Sequence, residues 1–499
     1  MANVIILNGG GESPEYYPRV QRSLGAYRVA NSIKNNGYTV AVVDFIQYLT
    51  TEEIIQALSK HLSEETIWVG YSSTFFYLNK PAANGIDRMY QNISYDKISA
   101  IYAHIKNNSN AKIVFGGARA LQAHSDPLVD YYIAGYADNS SVDLTNFLSG
   151  KSLSLHHSQV IDIEGSNRTL IDSGKYEEPS MSSLITNWED DNFYLLPNEA
   201  VPIEFARGCI FKCKFCSYPL LGKKKGTYIR EMSQVKDEIV KLWETTGTDT
   251  FYITDDTFND DNDKMENFHK LFTSLPFKPK FSAFLRLDLL DRFPHQADLL
   301  LEAGLIGNFF GIESLNWKSA KAIGKGLHPD KIKNRLQWVR DKWKGKVNIA
   351  AGFIIGLPYD TPEYFKELHD YVFSKDYPIQ HTVFNPLSIF DKSRGVNLYG
   401  SEFSMNAGVY GYKFDQDGLW YHEEQKFNFN DCRTIANEFN SNANKQNMVS
   451  EFQMMTYLNL GVDLQDMLKY NQVQLDSMYN IPGMNEYRLN QYKTMIGVL

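Results

Sequence analysis

The sequence has few cysteines, no long apolar run and no excess of positive charge. Among its 499 residues are 4 cysteines, and the formal net charge is −9. This acidic balance argues against bulk nucleic acid or an anionic membrane as a partner. No apolar stretch is long enough to span a bilayer, and the N-terminus lacks the basic and apolar segments of a secretory signal. The sequence therefore predicts a globular protein of the reducing cytoplasm, with roughly two to four domains.

Three of the four cysteines are crowded into one short segment. Cys209, Cys213 and Cys216 have the spacing C-x3-C-x2-C, and no histidine lies within forty residues of them. Structural zinc sites use paired cysteines or cysteine–histidine sets, and disulfides are uncommon in a reducing compartment. Three thiolates at this spacing instead predict a cubic iron–sulfur cluster with one iron left without a protein ligand. Such a cluster is able to bind and activate a second molecule.

The first 150 residues alternate between strand and helix patterns. Strands are predicted at residues 4–8, 38–44, 67–72, 112–116 and 131–134. This alternation predicts an α/β fold with a doubly wound, Rossmann-like parallel sheet, whose ligands bind beyond the carboxyl ends of the strands. Loops rich in glycine and serine follow these ends and contain the candidate cofactor-binding residues Gly10, Ser72, Ser73, Thr74, Gly116, Gly117, Gly135 and Tyr136. The alternative is that these glycines only make tight turns.

Residues 201–395 form a second alternating unit. Six strands are predicted at residues 202–205, 250–254, 280–285, 307–311, 347–355 and 380–384. Six strand–helix pairs predict a (β/α)6 partial TIM barrel, whose chemistry gathers at the carboxyl ends of its strands. The cysteines follow the first strand, and the later strand ends bear Thr254, Asp255, Asp256, Arg286, Glu313, Ser314 and Gly356.

The remaining segments are less regular. Residues 151–200 are expected to connect the two units across the surface. Residues 396–499 are rich in aromatic residues and asparagine, and we expect a mainly helical region that covers the barrel mouth. Cys432 stands alone there, and a lone cysteine is more often a small buried apolar side chain than a ligand.

With the three cysteines placed after the first barrel strand, the chain resembles the radical S-adenosylmethionine enzymes. The similarity covers residues 200–390 and rests on Cys209, Cys213 and Cys216, with the aromatic Phe215 just before the third cysteine. It implies that the cysteines hold a 4Fe–4S cluster and that S-adenosylmethionine chelates its open iron. It also implies an electron donor such as flavodoxin or ferredoxin, and cleavage of S-adenosylmethionine to a 5′-deoxyadenosyl radical.

The resemblance also assigns contacts to S-adenosylmethionine. By position they fall on Phe215 for the adenine, Thr254, Asp255 and Asp256 for the amine, Arg286 for the carboxylate, Glu313 and Ser314 for the ribose and carboxylate, and Gly356 on the adenine-binding strand. Two departures stand out. The family often has Gly-Gly-Glu in place of residues 254–256, and often has a glutamate where Tyr359 stands.

Residues 1–150 resemble the cobalamin-binding domain that precedes the barrel in one branch of the family. The Asp-x-His-x-x-Gly signature of that domain, whose histidine coordinates cobalt, is absent, and the first histidine of the chain is His61. The binding of cobalamin is therefore expected only because residues 1–150 and their loops resemble that domain. With 4 cysteines in the chain, a single radical-generating cluster is expected.

Three functions stay open at this point. The first is hydrogen abstraction from an unactivated carbon, coupled to cobalamin-dependent methyl transfer. The second is a cobalamin-independent rearrangement, dehydrogenation or cyclisation. The third is a non-catalytic electron carrier in which Cys432 supplies a fourth cluster ligand. The substrate, a small molecule or small polymer, is not identified by the sequence.

Overall fold

The computed structural model describes residues 1–9, 20–72, 93–117, 120, 126–163, 165–181, 184–218, 220–391 and 400–499. Of the candidate cofactor-binding residues, Gly10, Ser73 and Thr74 lie outside the described residues. None of the helices in the described ranges is both long and apolar enough to cross a membrane.

The first unit is a seven-stranded sheet with helices on both faces, which we call the front domain. Its strands are β1 (Val4–Asn8), β2 (Val40–Val43), β3 (Trp68–Ser72), β4 (Lys112–Gly117), β5 (Tyr131–Ala134), β6 (Ser158–Ile163) and β7 (Ser166–Asp172). Its helices are α1 (Leu24–Asn35), α2 (Thr51–Ser59), α3 (Tyr95–Asn108) and α4 (Asp138–Leu148). The strand order is β2-β1-β3-β4-β5-β7-β6, and every neighbouring pair is parallel except β6 with β7. The predicted doubly wound sheet is confirmed.

The hairpin of β6 and β7 differs from the expectation for residues 151–200. That segment was expected to be a connection, but β7 pairs in parallel with β5 and extends the front sheet. The sequence of β6, Ser-Gln-Val-Ile-Asp-Ile, is only partly alternating, and β6 is an exposed edge strand with Val160 67% exposed. β6 is largely solvated and β7 contributes only Leu170 and Ile171 to the core, so the hairpin has little apolar patterning, which explains why the sequence did not reveal it.

The second unit is the predicted partial barrel. Its strands are β8 (Val201–Ile203), β9 (Thr250–Ile253), β10 (Lys280–Leu285), β11 (Leu305–Glu313), β12 (Asn348–Ile355) and β13 (His381–Pro386). Its helices are α5 (Met232–Thr246), α6 (Asn262–Thr273), α7 (Leu287–Arg292), α8 (Gln296–Glu302), α9 (Trp317–Ala322), α10 (Pro329–Trp343) and α11 (Pro362–Val372). All six strands are parallel and follow one another in sequence order. The (β/α)6 prediction is confirmed.

The C-terminal region is mainly helical, as expected, and also contains a small antiparallel sheet. Its helices are α12 (Glu402–Met405), α13 (Phe429–Ala443), α14 (Glu451–Asn459), α15 (Leu464–Met467), α16 (Gln472–Met478) and α17 (Ile481–Met495). The sheet consists of β14 (Tyr412–Phe414), β15 (Trp420–His422) and β16 (Phe427–Asn428). Short 3₁₀ turns occur at Ser173–Lys175, Asp191–Phe193 and Ala407–Tyr410.

The C-terminal helices do not all lie at the barrel mouth. Helix α14 packs on the inner face near the amino ends of the strands, where its Met454 and Glu451 occupy the space beside Gly307. At the opposite end, the N–H of Phe403 in α12 donates to the carbonyl of Lys214 in the cysteine segment at 3.1 Å. The C-terminal region therefore closes the bottom of the barrel and also reaches its mouth.

Two asparagine side chains form hydrogen bonds with the open edge of the barrel at β13. The Asn440 amide accepts from the N–H of Phe384 at 2.9 Å and donates to the carbonyl of the same residue at 2.8 Å. The Asn447 amide makes the equivalent pair with Thr382, at 3.0 and 3.1 Å. Each amide thus makes the backbone hydrogen bonds that a neighbouring strand would make. Proteins cover such edges because an exposed edge strand can pair with another chain.

A buried ionic cluster occupies the carboxyl ends of β1 and β2. The fully buried Arg22 donates from Nε and Nη2 to the two oxygens of Glu199, at 2.7 and 3.1 Å, and from Nη1 and Nη2 to the carbonyls of Phe193 and Tyr194. Although burial disfavours its charge, Glu199 keeps the pKa of Arg22 above the usual value. Arg22 also lies 3.9 Å from the carboxylate of Asp44, which follows β2. The chain itself therefore fills this part of the front sheet's ligand-binding edge.

Candidate active site

The cysteines lie on a compact loop between β8 and α5, which we call the cysteine loop (residues 207–222). Its two halves are joined by backbone hydrogen bonds, from Cys209 to the carbonyl of Leu220 at 2.9 Å and from Gly222 to that of Phe211 at 3.1 Å. Gly208 has φ +112°, and a Cβ there would lie 2.9 Å from the carbonyl oxygen of Leu220 and 2.7 Å from Cγ of Lys223. Only glycine fits this close approach, so the sequence Gly208-Cys209 fixes how the loop begins.

All three thiols of the loop are free and each has a polar neighbour. Cys209 is 5% exposed, and its Sγ lies 3.6 Å from Oγ1 of Thr257. The guanidinium of Arg286 donates to Sγ of Cys213 at 3.4 Å. The backbone N–H of Tyr218 donates to Sγ of Cys216, also at 3.4 Å. Donors aimed at sulfur favour the thiolate that iron requires.

The chemistry of the thiols fits a polynuclear iron cluster. Burial raises the pKa of Cys209 and raises that of Cys216 to about 11, so each thiol holds its proton at neutral pH unless a cation replaces it. Within the described ranges, no three His, Cys, Asp or Glu side chains converge on a position for one metal ion. A cubic cluster does not need such convergence, because each cysteine binds a different iron.

Cys432 does not join the other three cysteines. It is fully buried, and its Sγ packs against Gly356 at the end of β12, beside Trp420. In the sheet order, β12 lies four strands from β8, which leads into the cysteine loop. The structure therefore places Cys432 as a core residue and gives the electron-carrier hypothesis no fourth thiol near the loop.

The three predicted residues after β9 have different surroundings. Thr254 donates to the carbonyl of Ile203 from its N–H at 2.9 Å and from its hydroxyl at 3.3 Å. Asp255 is 1% exposed and accepts from the N–H groups of Phe205 and Ala206, at 2.8 and 3.0 Å, so it supports the chain that enters the cysteine loop. Asp255 therefore does not open onto a ligand space. Of the three residues, Asp256 has the exposed side chain.

The carboxyl group of Asp256 faces the mouth of the barrel. The surrounding protein removes much of its hydration and raises its pKa to about 7, while a hydrogen bond from the hydroxyl of Tyr218 opposes this shift. Among the residues that the structure describes, no lysine or arginine forms an ion pair with it. It is therefore the member of the predicted amine-binding motif that remains available to a cationic ligand.

Arg286 is committed to neighbours within the protein. Its guanidinium binds both oxygens of Asp288, at 3.0 and 2.7 Å, and lies 3.7 Å from the ring centroid of Phe211 in the cysteine loop. Its third contact is the one to Cys213. Because Asp288 occupies the fork of the guanidinium, the predicted forked pairing with a ligand carboxylate does not fit this conformation. Arg286 instead supports the middle of the cysteine loop.

The end of β11 bends at the predicted residues Glu313 and Ser314. The pairing of β11 with β12 shifts register between Gly311 and Glu313, and Glu313 has φ +67°. Burial raises the pKa of Glu313, although Lys325 at 3.5 Å opposes the shift. The Ser314 hydroxyl is fully buried and contacts the hydroxyl of Tyr364 at 3.1 Å. The bulge therefore places the carboxylate of Glu313 beside Gly311 and Lys325 and turns Ser314 into the core.

Gly356 lies at a junction that the sequence did not predict. It has φ +97°, and a Cβ there would lie 2.7 Å from both Sγ of Cys432 and Cη2 of Trp420. Its N–H and that of Leu357 donate to the same oxygen of the buried Asp360, at 3.1 and 2.9 Å. The C-terminal region therefore covers this face of Gly356, and Asp360 fixes the loop after β12.

An aromatic row lines the inner face of the barrel between the bottom and the mouth. The ring centroids of Tyr252 and Phe284 are 6.0 Å apart, and those of Phe284 and Phe309 are 5.6 Å apart. The ring of Phe309 lies over Gly352, where a Cβ would come within 2.5 Å. Phe284 and Phe309 are half-buried, as is the predicted adenine contact Phe215. The row gives the mouth an apolar floor.

The described part of the front domain meets the barrel at the carboxyl end of β5. Here Gly135 has φ +101° and its N–H donates to the carbonyl of Gly117, which has φ +127°. The hydroxyl of Tyr136 donates to that of Tyr218 in the cysteine loop at 2.6 Å. Ser72 and Gly116 pair at the carboxyl ends of the neighbouring strands β3 and β4, and the described atom nearest to a Cβ at Gly116 is the carbonyl oxygen of Ile133 at 4.0 Å. These residues lie at the carboxyl edge of the front sheet, where ligands of such sheets bind.

Sequence reasoning missed Arg207 and Asp138, which form an ion pair between the two domains. Arg207 is 6% exposed and donates to Oδ2 of Asp138 at 2.8 Å and to both oxygens of Glu204 at 2.9 and 3.1 Å. The signal for Arg207 was a cation directly before Gly208-Cys209. Asp138 gave no distinct signal in the sequence, because an acidic residue at the start of a helix is common.

His61, the first histidine of the chain, lies away from this edge. The N–H of Ala2, which precedes β1, donates to the carbonyl of His61 at 2.9 Å, so the histidine is at the amino ends of the strands. Its Nε2 contacts the hydroxyl of Tyr194 at 2.6 Å. His61 is therefore not placed to coordinate a cofactor at the carboxyl edge.

Comparison with protein families identifies the barrel. Residues 203–372 match the Radical SAM superfamily. A relative from Chlorobaculum tepidum, bacteriochlorophyllide d C-12(1)-methyltransferase, is 24% identical over 315 residues, which are 61% of this chain and 66% of the relative. Cytidylyl-2-hydroxyethylphosphonate methyltransferase of Streptomyces wedmorensis is 26% identical over 219 residues, 43% of this chain and 39% of the relative. The chain thus spans less than two thirds of the length of each of these curated relatives.

Comparison with solved structures extends to the front domain. The radical S-adenosylmethionine methyltransferase TsrM from Kitasatospora setae, solved with cobalamin and a [4Fe-4S] cluster, has a TM-score of 0.62 at 14% identity. The match covers 98% of this chain and 100% of that one. Residues 203–372 therefore form a radical S-adenosylmethionine domain, and the fold of the whole chain is similar to that of this methyltransferase.

Proposed function

We propose that the chain is a cobalamin-dependent radical S-adenosylmethionine methyltransferase. The observation that carries the proposal is the meeting of two carboxyl edges, one from each parallel sheet, at the contact between Tyr136 and Tyr218. Ligands of such sheets bind at these edges. A cofactor on the front domain and a cluster on the cysteine loop would therefore lie next to each other. The methyltransferase relatives support the same function.

Different residues at the barrel mouth would bind the cluster, the amine and the ribose. Cys209, Cys213 and Cys216 would hold the 4Fe–4S cluster. When bound, the cluster, S-adenosylmethionine and cobalamin would together supply the radical and the methyl group. The carboxylate of Asp256 would accept a hydrogen bond from the amine of S-adenosylmethionine. The side chain of Glu313, 13% exposed at the same edge, would accept a hydrogen bond from a ribose hydroxyl.

The apolar floor would protect the reaction from water. Phe284 and Phe309 separate the mouth from the polar residues beneath, and α14 closes the lower end of the barrel. A carbon radical abstracts hydrogen from whatever it meets, so a water-poor and rigid surround favours the intended substrate. The substrate would be a small molecule or small polymer with an unactivated carbon, and the electron donor a flavodoxin or ferredoxin. The cytoplasm remains the predicted compartment.

A cobalamin-independent radical reaction is the second candidate. It is favoured by the position of His61 at the opposite edge of the front sheet and by the missing cobalt-binding signature. Anaerobic incubation with hydroxocobalamin, followed by gel filtration and an absorbance spectrum, separates the two candidates. Near-stoichiometric retained corrinoid supports the first candidate, and a corrinoid-free protein that still cleaves S-adenosylmethionine supports the second.

Replacement of a cluster cysteine tests the radical chemistry that both candidates share. We expect the anaerobically reconstituted protein to convert S-adenosylmethionine to 5′-deoxyadenosine when reduced, and Cys213→Ala to lose this activity together with most of its iron. Cys432→Ala is the matched control, because Cys432 is buried away from the loop, and it should retain iron and cleavage. Cleavage that persists in Cys213→Ala would show that the cluster assignment is wrong. Loss of iron in Cys432→Ala alone would favour the electron carrier.

A further inference from the structure

The front domain holds the cysteine loop at both of its ends. Arg207 lies two residues before the first cysteine, and Tyr218 lies two residues after the last. Their partners are Asp138 and Tyr136, which are themselves two residues apart in the turn from β5 to α4, the front-domain turn (residues 135–138). A single turn of one domain is therefore attached to both ends of the ligand-bearing loop of the other.

The attachment at the first end is a buried ion pair. Side chains of Arg207 and Asp138 are 6% and 4% exposed, and Nη1 of Arg207 lies 2.8 Å from Oδ2 of Asp138. Glu204 takes the other arm of the guanidinium. A buried charge that loses one partner is strongly destabilised, so Arg207 has to remain where both carboxylates reach it. Asp138 therefore sets the position from which the loop begins.

The attachment at the second end leads directly to a cluster ligand. Tyr218 accepts a hydrogen bond from Tyr136 through its hydroxyl at 2.6 Å, while its backbone N–H donates to Sγ of Cys216 at 3.4 Å. Tyr136 is 38% exposed, so packing alone does not explain its position. Its ring also lies 5.2 Å from the guanidinium carbon of Arg207, which joins the two attachments to each other.

The front-domain turn is itself held by the edge where the predicted cofactor residues lie. The N–H of Gly135 donates to the carbonyl of Gly117 at 3.2 Å, and both glycines have positive φ. This hydrogen bond ties the start of the turn, directly before Tyr136, to the end of β4. A ligand at this edge would therefore contact the same turn that holds the cysteine loop.

We propose that Tyr136 and Asp138 are positioning residues that set the geometry of the cysteine loop for the binding of S-adenosylmethionine at the cluster. This inference rests on the proposed function, because it requires that the three cysteines hold the cluster. Neither residue needs to touch S-adenosylmethionine. They act through Tyr218 and Arg207, so their loss changes how the cluster is presented and leaves its ligands in place.

Tyr136→Phe tests the inference, because it removes one hydroxyl and keeps the ring. We expect unchanged iron and sulfide content, an unchanged melting temperature and an apparent Kd for S-adenosylmethionine that rises about fivefold. The affinity is measured by titrating the reduced cluster and following its electron paramagnetic resonance spectrum. We also expect the spectrum of the saturated variant to differ from that of the parent. Tyr131→Phe, at the opposite end of β5, is the matched control and should behave as the parent.

Asp138→Asn tests the other attachment, because it removes the charge and preserves the shape. Since Arg207 would keep a single carboxylate partner, we expect the apparent Kd to rise about tenfold or more. Parent-like affinity and spectrum in Tyr136→Phe would overturn the inference, even if Asp138→Asn fails to fold. A parent protein that assembles no cluster would overturn the proposed function instead, so the two failures are distinguishable.

Discussion

At the scale of single residues, two buried carboxyl groups near the carboxyl ends of the barrel strands hold their protons unusually well. Burial raises the pKa of Asp255 to about 6, and that of Asp360 to about 7. Lys264 opposes the shift at Asp255, but Asp360 is balanced only by hydrogen bonds from Ser319 and two backbone N–H groups. Hydrogen bonds without a cation compensate burial less completely, so Asp360 is the stronger source of pH dependence.

Asp360 should make the folded protein less stable as the pH rises from 4 to 7. The unfolded chain releases this proton near pH 4, whereas the folded protein retains it up to about pH 7. Stability that is fully present below pH 4 is therefore lost as the pH rises through the folded pKa, by at most about 1.4 kcal/mol per pH unit. Asp360→Asn keeps an acceptor for Gly356 and removes the titration.

Urea unfolding at pH 5, 6, 7 and 8 checks this expectation. Relative to the parent, Asp360→Asn should gain on the order of 2 kcal/mol in free energy of unfolding between pH 5 and pH 7. Asp370→Asn is the control, because its side chain is 66% exposed at the end of α11. Parallel pH profiles for Asp360→Asn and the parent would contradict the assignment.

At the scale of elements, α13 and the segment that follows it take the place of a seventh strand. An open barrel leaves the outer backbone groups of β13 without a strand partner, and alternate residues of β13 point these groups to the same side. Asn440 and Asn447 meet the groups of Phe384 and Thr382, which are two residues apart on β13. Asparagine is suited to this role, because its amide presents one donor and one acceptor side by side.

Removal of either amide should destabilise the barrel edge. Asn440→Ala leaves the buried N–H and carbonyl of Phe384 without these partners, and we expect a loss of about 1–3 kcal/mol in the free energy of unfolding. Asn447→Ala should cost a similar amount. Asn437→Ala, on the exposed side of the same helix, should change the stability little. Equal stability of all three variants would show that the edge does not need the amides.

At the scale of the whole molecule, the sequence predicted the architecture better than the contacts between its parts. Strand and helix patterns were sufficient for the barrel sheet and for β1 to β5 of the front sheet, and the cysteine spacing predicted a cluster loop. The spacing could not show that Asp288 occupies the fork of Arg286, or that Asp255 supports the backbone of Phe205. Such roles depend on long-range pairs, and a single sequence does not reveal which distant residues pair.

The C-terminal helix α17 also makes long-range contacts that a single sequence does not reveal, because its partners lie in the front domain. In α17, the Tyr492 hydroxyl accepts from the N–H of Asp44 at 2.7 Å, and Lys493 pairs with Glu53 at 2.7 Å. Tyr492 is fully buried beside Arg22, whose guanidinium carbon is 5.6 Å from its ring centroid. Helix α17 thereby completes the ionic cluster at the edge of the front sheet.

Tyr492→Phe tests whether this contact joins the unfolding of the front domain to that of the C-terminal region. The change leaves the buried N–H of Asp44 without an acceptor, and we expect a loss of about 1–3 kcal/mol in the free energy of unfolding. Hydrogen exchange should show faster exchange at the Asp44 amide and in its β2 neighbours. Tyr487→Phe, on the same helix but 63% exposed, should leave both measurements unchanged. Unaltered exchange at Asp44 in Tyr492→Phe would show that α17 is not part of the front domain's stability.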